Sequence, residues 1–120
     1  MSEQSSRSMA RLRAEGYIPG VVEKFVAFPP PGHRVDLFGF IDIVAMKPPE
    51  KGLLAVQATS TPNLMARVKK AQGCPELAAW IDSGNRFECH GWAKRGKEGK
   101  RKLWTLKRLE VSATDFKEIL

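Results

Sequence analysis

The sequence predicts an α/β sandwich with a mixed central sheet of about five strands flanked by helices. Three observations carry this. Two apolar runs, Leu37 to Met46 and Leu53 to Thr59, sit on either side of a Pro-Pro-Glu-Lys-Gly turn and read as adjacent strands. A helical stripe then opens behind a Thr61-Pro62 start signal. Two further strand-like runs, Arg86 to Lys94 and Arg101 to Glu110, are joined by a basic turn containing Gly96 and Gly99.

Taken in order, Ser5 or Ser6 is expected to cap a first helix whose apolar face carries Met9 and Leu12, with Gly16 as its stop. Residues Met1 to Gln4 ahead of it are expected to be disordered. Val21 to Phe28 is rich in β-branched and aromatic residues and reads as the first strand, ended by Pro29-Pro30-Pro31. Glu23 within it is read as facing solvent, and His33 as a loop residue. Leu37 to Met46 and Leu53 to Thr59 are the second and third strands. Leu64, Met65 and Val68 mark the buried stripe of the next helix, which Gly73 ends. A short helix from Pro75 to Ser83 is expected to bury Leu77, Trp80 and Ile81. After the two last strands, Thr114-Asp115 reads as the cap of a helical tail. The whole chain, residues 1–120, reads as a single domain, with no repeat or linker.

An acid embedded in an apolar strand is costly unless something pairs with it, because a carboxylate loses its water on burial. Asp42 therefore calls for a partner or a metal. Side chains alternate faces along a strand, so Gln57 and Thr59 share one face, and the turn at Lys47 to Gly52 brings that face beside Asp42. With this cluster in place, the chain from about Gly16 to Glu110 resembles the restriction-endonuclease-like PD-(D/E)XK nuclease superfamily, and within it the small Holliday-junction-resolvase-like proteins. In that family one acid sits at the second core strand and an acid-x-Lys triplet on the third. The resemblance implies that Asp42 is the first acid, while Gln57 stands at the second acid and Thr59 at the Lys; Ile41 precedes Asp42 where the family has Pro.

Mg²⁺ or Mn²⁺ is the cofactor so implied, with Asp42 and Gln57 as ligands. A Gln carbonyl offers an oxygen without charge and holds a hard cation more weakly than a carboxylate. Thr59 does not replace an ammonium, and losing one electrostatic stabiliser costs on the order of 10² to 10³ in rate. Asp36 is a further acid that can complete the catalytic set, and Lys69 or Lys70 can reach back to supply the missing cation. Acids near the N-terminus join the site in some members of the superfamily, which keeps Glu23 in view.

Composition narrows the partners. The chain of 120 residues, 42% hydrophobic, is long enough for one sheet and a few covering helices. It holds no apolar run near the roughly 20 residues of a membrane span, and its start lacks the order of a signal peptide, so a soluble, cytoplasmic protein is expected. Cys74 and Cys89 lack metal-ligand spacing and do not cluster with His33 and His90, so structural zinc is not expected. The formal charge of +7 is concentrated in Lys94, Arg95, Lys97, Lys100, Arg101 and Lys102, which with Arg67, Lys69 and Lys70 form the expected nucleic-acid-binding set. Trp92 and Trp104 flank that turn and are read as core or cross-strand residues before base-stacking ones.

Two function classes follow. The first is a metal-dependent DNA endonuclease or resolvase acting on DNA, branched DNA included, and by resemblance a homodimer serving DNA recombination. The second is a catalytically inactive nucleic-acid-binding module of the same fold. A weaker third is an interaction subunit whose basic hairpin meets an acidic protein.

Overall fold

Buried residues on both alternating sets of the central strands leave both sheet faces in need of cover, and the chain covers them with helices from its two halves. A computed structural model describes residues 1–96 and 98–119. Helix α1 spans Glu3–Ala14 and is followed by strands β1 (Ile18–Val21), β2 (Lys24–Val26), β3 (His33–Val35), β4 (Ile43–Met46) and β5 (Leu54–Ser60). A 3₁₀ turn at Thr61–Asn63 leads into helices α2 (Leu64–Gln72) and α3 (Glu76–Asp82), and strands β6 (Arg86–Arg95), β7 (Leu103–Val111) and β8 (Phe116–Ile119) complete the chain.

Six strands form one mixed sheet in the order β1-β4-β5-β6-β7-β8, and β2 pairs with β3 in a separate two-stranded ribbon. Among the described residues, β5 and β6 form the one parallel pair. A parallel pair cannot be closed by a hairpin, and α2 with α3 supplies the crossover. Ala55, Phe87 and Cys89 pack with Leu64, Val68, Ala71 and Leu77 beneath α2 and α3. Leu54 and Val56, the alternate residues of β5, pack with Met9 and Leu12 of α1. The sheet therefore lies between α1 and the α2–α3 pair, a three-layer α/β arrangement. Among the described residues no helix is long and apolar enough to cross a membrane.

Several expectations are corrected. The sheet has six strands, and the ribbon is additional. Ser2, and neither Ser5 nor Ser6, caps α1: its Oγ accepts the Ser5 N–H at 3.0 Å, so the helix begins inside the segment expected to be disordered. Ser5 is buried. The expected strand from Val21 to Phe28 is broken at Val22-Glu23, where the Val22 N–H bonds to the Asp42 carbonyl at 2.9 Å and the chain leaves the sheet for the ribbon. His33 lies in β3 of that ribbon, exposed.

The strand expected from Leu37 shrinks to Ile43–Met46, because Asp36 to Ile41 form a tight turn closed by Gly39 N–H to Asp36 carbonyl at 3.0 Å and Ile41 N–H to Leu37 carbonyl at 3.0 Å. The expected helical tail is strand β8, antiparallel to β7. The acid expected in its cap serves a turn together with Ser112: Ser112 Oγ accepts the Asp115 N–H at 3.1 Å and Asp115 Oδ1 the Phe116 N–H at 2.8 Å. In the stripe of α2, Leu64 and Val68 are buried while Met65 is exposed; in α3 only Leu77 is fully buried, with Trp80 and Ile81 half-buried at the edge of the core.

Candidate metal centre

The site grows from the place where β4 begins opposite the middle of β5. The register pairs Ile43 with Val56, so Asp42 comes opposite Gln57, and β5 continues past the end of its partner. The Ala58 N–H, left beyond β4, donates to Asp42 Oδ2 at 2.9 Å. A carboxylate thus fills the place of a ladder carbonyl, and a buried N–H is satisfied.

Asp36 reaches the same point through the turn that replaces the expected strand. Phe38 and Gly39 both adopt positive φ, 56° and 84°. Such a conformation is unusual for a bulky side chain, and here it reverses the chain so that Asp36 and Asp42 face each other. Phe40 and Ile41 fix the turn from below. Both are fully buried, and Phe40 meets Phe87 edge-on with ring centroids 5.0 Å apart. Gln57 Nε2 donates to Asp36 Oδ2 and to Asp42 Oδ2, each at 3.1 Å.

Glu23 enters from the other flank of the ribbon. Its Oε1 accepts from Arg34 Nη1 at 2.9 Å and lies 3.8 Å from the chain's amino terminus. Carboxylate oxygens of Glu23, Asp36 and Asp42 all lie within 4.8 Å of one another, the separation of a cation site. Burial, and then the hydrogen bond and charge of Asp36, raise the Asp42 pKa to about 7, against which the Ala58 N–H acts.

All four acid-site residues expected from the sequence, Asp36, Asp42, Gln57 and Thr59, line one cleft of about 600 Å³. Arg67 and Lys70 of α2 also line it, one helical turn apart, and Lys70 Nζ lies 3.9 Å from Asp36 Oδ2. Lys69 is exposed about 100° further round the helix. Lys94, Arg95, Lys100, Arg101 and Lys102 are exposed at the β6–β7 hairpin and stand away from the acids; Lys97 lies outside the described residues. Ser60 at the end of β5 pairs with Trp92, and β6 runs on from there to Arg95, so the hairpin projects from the same end of the sheet as the cleft.

Glu23 corrects the expectation that it faces solvent: its side chain is 11% exposed and belongs to the cluster. The signal that singled out Asp42, an acid interrupting an apolar run, was present at Glu23 too. Arg34, a wall of the cleft, had no sequence signal. Both readings hold: Trp92 is buried, and Trp104, though exposed, pairs across the strands with Lys94 and has the Arg7 guanidinium 3.4 Å from its ring centroid.

A hard divalent cation fits these residues. Three carboxylates converge, and Gln57 Oε1, on the side of the amide away from them, is buried with no hydrogen-bond partner among the described residues. The Gln57 amide presents nitrogen to the acids, so its oxygen becomes a ligand only after the amide turns over.

On the opposite face lies a second buried polar group that the sequence did not announce. Trp92 Nε1–H donates to Ser8 Oγ at 2.9 Å, Ser8 Oγ meets His90 Nδ1 at 2.8 Å, and His90 Nε2 meets Glu88 Oε1 at 3.0 Å. With the indole donating to the hydroxyl, Ser8 O–H donates to Nδ1 and His90 carries its proton on Nε2. Arg108 Nε donates to Glu88, and its Nη1 donates to both oxygens of Glu15 at 2.8 Å. Order and spacing mimic a Ser-His-Glu triad, but Ser8 and His90 have no exposed surface. The network ties α1 to β6 and β7.

No family model matches the chain, and no curated protein or solved structure matches it at a significant level, so the reading of the site rests on its own geometry.

Proposed function

We propose that this protein is a metal-dependent nuclease of the restriction-endonuclease-like class, hydrolysing phosphodiester bonds in DNA, branched DNA included. One observation carries the reading: three carboxylates converge within 4.8 Å in a cleft whose walls hold Arg34, Arg67 and Lys70. Acids alone repel a phosphate, and guanidinium and ammonium groups alone only bind it. Together they suit a phosphodiester.

Glu23, Asp36 and Asp42 would hold Mg²⁺ or Mn²⁺, with Gln57 Oε1 as a neutral fourth oxygen. The chemistry such a cation supplies is neutralisation of phosphate charge and activation of the attacking water. The chain's own groups do the rest. Arg67 and Lys70 hold the phosphate from α2, and Lys70, beside Asp36, takes the part that Thr59 cannot play. Thr59 offers a hydroxyl to orient water at the cleft wall. The basic hairpin at the same end of the sheet holds the flanking backbone. A homodimer presenting two clefts would address two strands.

A second reading, a non-catalytic nucleic-acid-binding module, draws support from Gln57. Its amide donates to both Asp36 and Asp42 and so holds the cluster together without a cation.

Cleavage of linear, single-stranded and four-way-junction DNA in Mg²⁺ or Mn²⁺ separates the two. Activity in the wild type that is abolished in Asp42→Ala, reduced on the order of 10²-fold in Lys70→Ala and unchanged in Lys69→Ala is the expected result. DNA binding without cleavage on every substrate would leave the binding module.

A further inference from the structure

Two of the three acids bracket a single element. Glu23 immediately precedes β2 and Asp36 immediately follows β3, so the ribbon from Lys24 to Val35 rises directly from the rim of the cleft. Phe25 is 60% exposed and Phe28, just beyond β2, is 79% exposed. Burial of a Phe side chain is favourable, and this fold leaves two of them exposed on one arm.

The cleft they rise from is lined by Arg34, Arg67 and Lys70. The ribbon register places Phe25 opposite Arg34, which pairs with Glu23, while Lys24 lies on the other face of the arm. Phe25 is also held in place: a Cβ on Gly32 would come within 2.6 Å of Phe25 Cζ, so the ring rests against the Gly32 backbone. Protein interfaces deplete lysine at their apolar centres. Aromatic rings beside a basic cleft are what unpaired nucleotides require, a π-face for the base and positive charge for the phosphate. Bases inside a duplex are stacked on each other and offer no such face.

We propose that the β2–β3 ribbon is a base-stacking arm, and that the nucleic acid entering this cleft carries unpaired nucleotides next to the bound phosphate. The inference rests on the nucleic-acid reading of the cleft and is independent of catalysis. Binding is measured by fluorescence anisotropy in EDTA, where nothing is cleaved, on a labelled single strand and on the blunt duplex of the same sequence.

Phe25→Ala and Phe28→Ala are each expected to weaken single-strand binding by about 5-fold to 100-fold and to leave duplex binding within about two-fold. Phe28→Trp is expected to restore single-strand affinity. Both positions are exposed, so unchanged melting temperatures show that the variants fold. Equal losses on single strand and duplex, or no loss on either, overturn the proposal. So does a concentration-dependent dimer in the wild type that Phe28→Ala abolishes while single-strand affinity stays intact, since the arm would then cover a second copy of this chain. Intact, arm-dependent single-strand binding in a protein that cleaves nothing with Mg²⁺ supports the arm and removes only the nuclease reading.

Discussion

The two buried polar groups of this protein lie on opposite faces of one sheet and solve the same problem differently. Around Glu88 every charge has its complement: burial pushes the Glu88 pKa up, but hydrogen bonds from His90 and Arg108 outweigh it and the net shift is downward. Arg108 in turn holds Glu15. Around Asp42 the charges share a sign, and burial together with Asp36 pushes its pKa up to about 7. Arg34 and Lys70 serve the outer acids Glu23 and Asp36, leaving Asp42 with an amide and a backbone N–H. A set of charges that closes on itself is architecture. One left open to a cation is where chemistry is to be sought.

The sharpest way to break this contrast is Arg108→Ala. It leaves Glu88 and Glu15 without their shared cation on a buried face, and loss of one partner of a buried pair costs about 3–5 kcal/mol. Urea denaturation should register that loss at pH 7. A change within about 0.5 kcal/mol would show that the network does not hold α1 to the sheet.

Next in size is the pH dependence of stability, for which the two groups have opposite signs. A raised carboxyl pKa means that the folded state binds the Asp42 proton more tightly than the unfolded state. The cleft therefore contributes stability as pH falls from about 7 towards 3.8, with a slope approaching about 1.4 kcal/mol per pH unit within that window. His90 behaves in the reverse sense. Burial lowers its pKa, so its contribution is present above the ordinary value of 6.5 and is lost as pH falls below it. The lowered Glu88 adds a further loss as pH falls through its ordinary value of 4.5 and below. In the metal-free wild type the two trends oppose each other below about pH 6.5. Asp42→Asn should be more stable than the wild type at pH 8 and should decline monotonically on acidification. Superimposable profiles of the two proteins would remove the open-charge account of the cleft.

A smaller effect sharpens the same comparison from the metal side. Mg²⁺ or Mn²⁺ at about 100 times its Kd should stabilise the wild type by about 2.7 kcal/mol, read as a rise in melting temperature, and Asp42→Asn should lose most of that gain. An equal rise in the variant would place the cation elsewhere. The smallest effect tests the turn that unites Asp36 and Asp42. Gly39 has φ of 84° and room for a Cβ, which would meet Cys74 Sγ at an ordinary contact distance of 3.8 Å. Gly39→Ala therefore costs conformational strain alone, on the order of 1 kcal/mol, and should lower divalent-cation affinity by displacing one acid from the other.

What the sequence made legible was local or periodic. Asp42 opposite Gln57 and Thr59 followed from strand alternation and one turn, and α2 followed from its stripe and its stop at Gly73. The miss at Glu23 arose because an unbroken β-branched and aromatic run hides the point where a chain changes sheets; the break is set by the bond from Val22 N–H to the Asp42 carbonyl, a contact between distant residues. Phe38 was read as strand because its side chain favours one, and tertiary packing of Phe40 and Ile41 overrode that preference. Thr114-Asp115 was read as a helix cap because caps and turns use the same side chains. The Ser8–His90 contact spans 82 positions, and no local rule could find it.

The ribbon's attachment has a consequence for how such a protein can change. Its two ends are held where Glu23 and Asp36 meet, so the span closed by Lys24 to Val35 is fixed whatever lies between. Closing a longer flexible loop across the same gap costs only about 0.6 kcal/mol for each doubling of length. Arms of different length and tip can therefore be exchanged on one unchanged set of acids. The ribbon and the acid cluster can vary independently, with a joint between them no wider than a pair of carboxylates.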